Sequence, residues 1–255
     1  MDNSKFFSVM VVGDEPDKVM EPYGPNVEVK PYVKFKYLEA EKYQKAAIKA
    51  LNKLLDEYEK IGLTKSMKDA MTERVRIISS QTPFEYYRSL TDGMYYDENG
   101  NALSYENPNL KWDASHIGRN FSVPFILKDG TYSYSAKVSD VDWDRTNNEH
   151  RGIYESTWEL CVDKREPNGS DEERIKQSMQ DKDSYFERFK DKEDYVTYSS
   201  SFWNYAYVDK SGWTDVSDFR EGTEGDWIRG FIGRFVKPLD GDETVSIYEC
   251  SIRNT

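Results

Sequence analysis

An α+β fold, with a mixed or antiparallel sheet, paired terminal strands and several packed helices, follows from three observations. Apolar, strand-like runs stand near both ends of the chain (Phe6 to Val12, Thr244 to Ile252), hairpin signals occupy the middle, and helical periodicities are interspersed between them. Pairing of the terminal strands in one sheet would unite residues 1–255 as a single domain. The polar, turn-rich run Arg165-Glu166-Pro167-Asn168-Gly169-Ser170 is the one candidate for a weak boundary, near 165–170.

Taken in order, Phe6 to Val12 is an apolar, β-branched run ended by Gly13-Asp14-Glu15-Pro16 and is expected as a buried strand. Val27 to Tyr37 alternates apolar and charged residues, a second extended segment. From Glu39 to Lys60 the period changes: Tyr43, Ala47, Leu51, Leu54, Leu55 and Tyr58 form one stripe at helical spacing, expected as core, and Gly62 ends it. Thr64 to Ser79 predicts a more polar helix. Thr82-Pro83-Phe84-Glu85 has a cap, a first-turn proline and a glutamate three residues after the cap, so it opens another helix. Asp97 to Gly100 and Asp129-Gly130 are turns; the second joins Val123–Leu127 to a return strand at Tyr132–Val138. Ile153 to Val162 fits helix or strand. Asp171 to Lys192 predicts a charged helix, Tyr195 to Val208 a long aromatic strand turned at Asp209–Gly212, and Asp226 to Val236 a helix burying Trp227, Phe231 and Phe235.

The formal net charge of -12 opposes binding to long nucleic acid, which needs clustered Lys and Arg. A small phosphorylated ligand needs only a few local donors. Aromatics reach 15% of the chain, suited to a polar-edged core or a recognition surface. Cys161 and Cys250 are far apart, without Cys-x-x-Cys spacing, and are expected as reduced core residues. No apolar run approaches the ~18–20 residues of a membrane span, and no secretion signal is apparent, so the expected place of action is a cytoplasm.

The chemically richest stretch runs from Asn107 to Val123. Lys111, Asp113, His116, Arg119 and Asn120 surround Trp112, Ile117 and Phe121, with Gly118 among them. Such a mixture is costly to bury unless each polar group finds a partner, so it belongs in a polar network or at a site. Gly118 would let backbone amides approach a ligand and Arg119 would fork onto a phosphate; a tight turn with a surface ion pair is the alternative. Arg229 and Arg234, with Gly230 and Gly233 between them, form the other basic cluster. Close backbone packing accounts for those glycines, or else a small-residue groove for a ligand or partner.

This stretch resembles the K-W-D-x-x-x-I-G-G-R-W segment of a family of uncharacterised proteins of phages and prophage-bearing bacteria. Lys111-Trp112-Asp113 and Ile117-Gly118 match, while Arg119-Asn120-Phe121 stand where that family has Gly-Arg-Trp. The likeness continues through Thr82 to Tyr87, Asp140 to Trp143, Tyr205 to Asp209, Gly212-Trp213 and Arg234-Phe235. The resemblance implies a phage accessory protein acting against host defence in the bacterial cytoplasm. It brings no activity with it.

Other chemistry finds little purchase. Asp140, Asp142 and Asp144 have the spacing of a calcium loop, but Arg145 and Arg151 stand where its glycine and bidentate glutamate belong; alternating acids on an exposed strand are expected there. His116 and His150 are the only histidines and have no zinc spacing, although Asp113 could orient the His116 ring. Neither a metal nor a cofactor is expected, and no catalytic residues are assigned. The expected function is capture, without chemistry, of a small phosphorylated, nucleotide-like host immune signal. Its ligand contacts would come from Lys111, Trp112, Asp113, His116, Gly118, Arg119, Asn120, Arg229 and Arg234. The alternatives are an inhibitor that masks a host defence complex with its acidic surface, or a hydrolase using Asp113, His116 and the acids at 140–144. A homo-oligomer is compatible with all three.

Overall fold

The structure, a computed structural model, describes residues 4–61, 65–118, 120–166, 182–219 and 222–253. The chain divides into two compact units, residues 1–27 with 108–255, and residues 28–107. Sequence reasoning favours a single domain; the units part at 27/28 and 107/108, while 167–170 lie outside the described residues. The strands in chain order are β1 Ser4–Val12, β2 Tyr32–Phe35, β3 Tyr95–Tyr96, β4 Ala102–Ser104, β5 Ala114–Ile117, β6 Phe125–Ile126, β7 Tyr132–Ser133, β8 Ser135–Lys137, β9 Ala206–Asp209, β10 Gly212–Asp215 and β11 Thr244–Arg253.

The fold is α+β, and the expected pairing of the terminal strands is its centre. β1 runs antiparallel to β11 from Ser4 opposite Arg253 to Val12 opposite Val245. The sheet order is β10-β9-β1-β11-β5, with β8 sharing the far edge of β11. β1 is parallel to β9 and the other pairs are antiparallel. From Val9 to Val11 β1 has a strand on each side and cores on both faces, so this half has no solvent face and reads as an unbroken apolar run, whereas Lys5 and Phe6 at its start are exposed. Period-2 alternation sends Met10, Val12, Val245 and Ile247 to one face, under Trp227, Ile228 and Phe231. It sends Val9, Val11, Val208, Tyr248 and Cys250 to the other, against Met20 and Trp112.

The helix Glu224–Phe231 opens with a reciprocal cap between Thr223 and Asp226. It continues as a π-helical turn, Ile232–Val236, in which the Lys237 N–H reaches the Ile232 carbonyl at 3.0 Å. Trp227 and Phe231 are fully buried, as the sequence predicts. The glycines beside them do not serve close backbone packing. A Cβ at Gly233 would meet nothing within 4 Å, and one at Gly230 only the guanidinium tip of Arg234.

Two local expectations are corrected and one open reading is settled. Tyr195 to Val208 is not one strand: Lys192–Ser200 is a helix, and only Ala206–Asp209 is extended. The Asp191 carboxylate accepts from the Asp194 N–H at 2.9 Å and caps that helix, which outweighs the strand preference of its aromatics. The acids at 140–144 do not alternate along a strand. Asp142 caps the helix Trp143–Asn148 by accepting from the Arg145 N–H at 3.0 Å. The undecided segment at 153–162 is helical as far as Cys161, as part of the helix Arg151–Cys161, with Val162 at its C-terminal cap. Cys161 and Cys250 are not joined in a disulfide, and burial pushes the Cys250 thiol up to about 12. Among the described residues no helix is long and apolar enough to cross a membrane.

Residues 28–107 carry the helices Ala40–Ile61, Lys65–Ser80 and Pro83–Leu90 and a small sheet ordered β2-β4-β3. The helix starting at Pro83 has the Thr82–Glu85 capping box read from sequence. Its Tyr87 joins Ala40 and Ala102 in the buried cluster of this unit. The leucine stripe expected as core is not buried as a whole: Leu54 is 41% exposed, and the Tyr58 side chain and Gly62 lie outside the described residues. The helix buries its first turns, where Gln44 donates from Nε2 to the carbonyls of Ile78 and Gln81 at 2.8 Å each.

Candidate functional site

The 107–123 stretch supplies two different arrangements. At its C-terminal end, β5 places His116 opposite Glu249 of β11. Glu249 lies on the same strand face as Val245 and Ile247 and its side chain is fully buried. The chain folds around it. Glu249 Oε1 accepts from the N–H groups of Asn120, Phe121 and Ser122 at 2.8, 2.8 and 2.9 Å, and from Ser122 Oγ at 2.9 Å. His116 Nε2 lies 3.1 Å from Oε2. Burial on its own would raise the carboxyl pKa, but the four donors outweigh it and hold Glu249 down at about 2.

Converging backbone amides make an anion-binding concavity, and here the protein's own carboxylate fills it. Gly118 belongs to the same arrangement. Its N–H donates to the Ile247 carbonyl at 2.9 Å, and a Cβ there would fall 2.0 Å from Ser122 Oγ. The glycine thus lets the loop close on Glu249; the sequence expectation gave that closeness to a ligand. Arg119 lies outside the described residues. The Asp113 N–H donates to the Ser251 carbonyl at 2.7 Å, extending the β11 edge.

At its N-terminal end the stretch crosses the other face of the sheet. Trp112 packs in the cluster of Val9, Met20 and Tyr248, and a Cβ at Gly24 would sit 2.6 Å from its ring. Trp112 is a packing residue. Lys111 donates its N–H to the Tyr23 carbonyl at 2.8 Å, and its Nζ stands 3.3 Å from Asp215 Oδ2 and 3.8 Å from Asp218. Asp215 is buried at the end of β10. Its carboxylate accepts from Trp213 Nε1 at 2.8 Å, the Ser217 N–H at 3.0 Å and Ser217 Oγ at 2.5 Å. Burial opposes its ionisation, but the Ser217 and Trp213 donors and Lys111 prevail, so its pKa is lowered.

These groups line a cleft of ≈ 550 Å³. Its walls include Phe7, Tyr205 and Trp213, with Phe7 5.2 Å from the Tyr205 ring and 6.4 Å from the Trp213 ring. Lys5 and Lys111 contribute the positive charge. The Trp213 plane is fixed from both ends, by its N–H on Asp215 and by the Tyr23 ring at 5.2 Å. Among the described residues, Lys111 alone of the expected ligand contacts lines this cleft. Lys5, Phe7, Tyr205, Trp213 and Asp215 were missed because their convergence depends on strand order, which periodicity does not reveal.

Arg229 and Arg234 stand on the opposite side of the sheet, with the helix that covers Met10 and Ile247. Arg229 pairs with Asp194 at 2.6 Å and lies over the Tyr198 ring; Arg234 lies over Phe219 at 4.3 Å. The structure therefore does not assemble the expected contacts into one site: the sheet separates Lys111 from both arginines. Comparison with protein-family models, curated proteins and solved structures found no match.

Proposed function

We propose that this protein is a binder, without chemistry of its own, of a small phosphorylated, nucleotide-like ligand held in the Lys5–Lys111–Trp213 cleft. The observation that carries this reading is a ligand-sized concavity with aromatic walls and two lysines. Its volume is within the ~300–1,000 Å³ range of small-molecule sites. A planar base has the pinned Trp213 ring to stack on. An anionic group has Lys5, which is exposed, and Lys111, whose partner Asp215 already accepts from three other groups and remains satisfied if Lys111 turns to a phosphate. The resemblance to phage proteins adds the setting: sequestration of a host immune signal in the bacterial cytoplasm. Inhibition of a host defence protein through the acidic surface is the competing reading.

Mass spectrometry of small molecules released by denaturing protein from infected, defence-active cells tests this proposal. It is followed by calorimetric titration of the identified nucleotide. Release of an intact nucleotide is expected, with binding at least ~10-fold weaker in Trp213→Ala and in Lys5→Ala, in keeping with the loss of one stacking or charge-assisted contact. Conversion of the nucleotide on incubation would show an enzyme. An empty cleft with a co-purifying host protein would support the inhibitor instead.

A further inference from the structure

Residues 28–107 contain a second cavity, built independently of the cleft. The capped helix Pro83–Leu90 presents Phe84, Tyr87 and Arg88 on one face at i, i+3 and i+4. The turn Asp97–Gly100 forms another wall. The Asp97 carboxylate holds it by accepting from the N–H groups of Asn99 and Asn101 at 2.9 Å each, and Gly100 supplies the φ of +77° that the turn requires. Tyr37 closes a third side, edge-on to Phe84 at 5.8 Å and to Tyr87 at 5.6 Å. The concavity between these walls has a volume of ≈ 400 Å³ and opens to solvent. Tyr87 is locked in place: its hydroxyl accepts from the Ala102 N–H, and its single hydrogen is shared between the Gly100 and Phe35 carbonyls at 2.9 and 3.1 Å.

Two exposed charges of opposite sign line this cavity. Arg88 lies 4.9 Å from the Tyr96 ring and 5.4 Å from the Phe84 ring, which orients its guanidinium. Glu98 lines the same cavity. Among the described residues neither the Arg88 nor the Glu98 side chain makes an ion pair or hydrogen bond, with each other or with any other residue. A simple anion would satisfy Arg88 but face Glu98, and a simple cation the reverse. A zwitterion with an apolar body satisfies both.

We propose that this cavity binds a free α-amino acid with a large apolar side chain, its carboxylate on the Arg88 fork, its ammonium toward Glu98 and its side chain against Tyr37 and Tyr87. The guanidinium matches a carboxylate with two parallel hydrogen bonds. A peptide end carries only one of the two charges, so the free amino acid is the better fit.

The test is calorimetric titration of the full chain with L-phenylalanine and L-leucine. Phenylalaninol, which lacks the carboxylate, and 3-phenylpropionate, which lacks the ammonium, are run beside them. Saturable binding of at least one amino acid is expected, with its affinity lowered at least ~10-fold by Arg88→Ala and by Glu98→Gln, and phenylalaninol and 3-phenylpropionate at least ~10-fold weaker than L-phenylalanine. Both side chains are exposed, so both variants should melt with the parent. No saturable heat with either amino acid up to about 10 mM, equal binding of 3-phenylpropionate, or parent affinity in either variant overturns the proposal. None of these results bears on nucleotide capture in the cleft.

Discussion

The two units of this chain bury apolar surface in different ways. The larger unit sandwiches a sheet: β1 and β11 send alternate side chains into two cores, one containing Trp227 and Phe231 and the other Met20 and Tyr248. The smaller unit has the more regular helical sequence but the thinner core, centred on Ala40, Tyr87 and Ala102 and tied by the polar Gln44. Amphipathic periodicity thus marks a helix without showing how deeply its stripe is buried. Depth comes from what lies opposite, and a central sheet offers more than a three-stranded edge.

Four measurements test this difference between the units. Trp227→Ala should lower stability by about 3–5 kcal/mol in denaturant unfolding, the usual range for truncating a fully buried aromatic. A loss under about 1 kcal/mol would mean that the sheet face collapses around the gap.

Glu249 gives the next largest effect and one that depends on pH. Its folded pKa of about 2 lies below the ordinary 4.5, so it contributes stability above pH 4.5 that is lost as pH falls through 4.5 toward 2. The shift corresponds to roughly 3 kcal/mol at neutral pH. Glu249→Gln should be less stable by about that amount near pH 7 and converge on the parent near pH 2. A parallel offset across the whole range would show that the carboxylate is held by packing instead of by its amide donors.

In the smaller unit, Tyr87→Phe leaves the Ala102 N–H without its acceptor and should cost about 1–2 kcal/mol. Amide hydrogen exchange at Ala102 should quicken correspondingly; unchanged exchange would place the unit's strength elsewhere. Leu54→Ala is the smallest, under about 1 kcal/mol, because 41% of the residue already meets water. A loss of ~2–5 kcal/mol, the range for a buried leucine, would restore the full apolar stripe as core.

Much of the fold was legible where local chemistry decides it: the Thr82 cap, the Asp129-Gly130 turn and the terminal strands. Composition misled where a cap opposed it. Tyr195 and Tyr198 look like strand residues, and the oxygen of Asp191 tips them into a helix. The site was less legible. Alternation from Val245 through Ile247 puts Glu249 on an apolar face, a visible signal of a buried carboxylate that needs donors, but the donors lie in a loop 127–129 residues away in sequence. Likewise Phe7, Lys111 and Trp213 meet because β9 and β10 fall on the same side of β1 as they do, a fact of topology without local trace.

The β1–β11 register has a kinetic side. Val12 and Val245 are partners across more than two hundred residues, and β9, the other neighbour of β1, is nearly as distant. Every central pairing of the larger unit is therefore long-range, the kind of topology that folds slowly. Residues 28–107 are contiguous and can form their contacts during synthesis, while β1 waits with both apolar faces bare. Until β9 and β11 emerge, that strand is an adhesive edge whose protection falls to the cell.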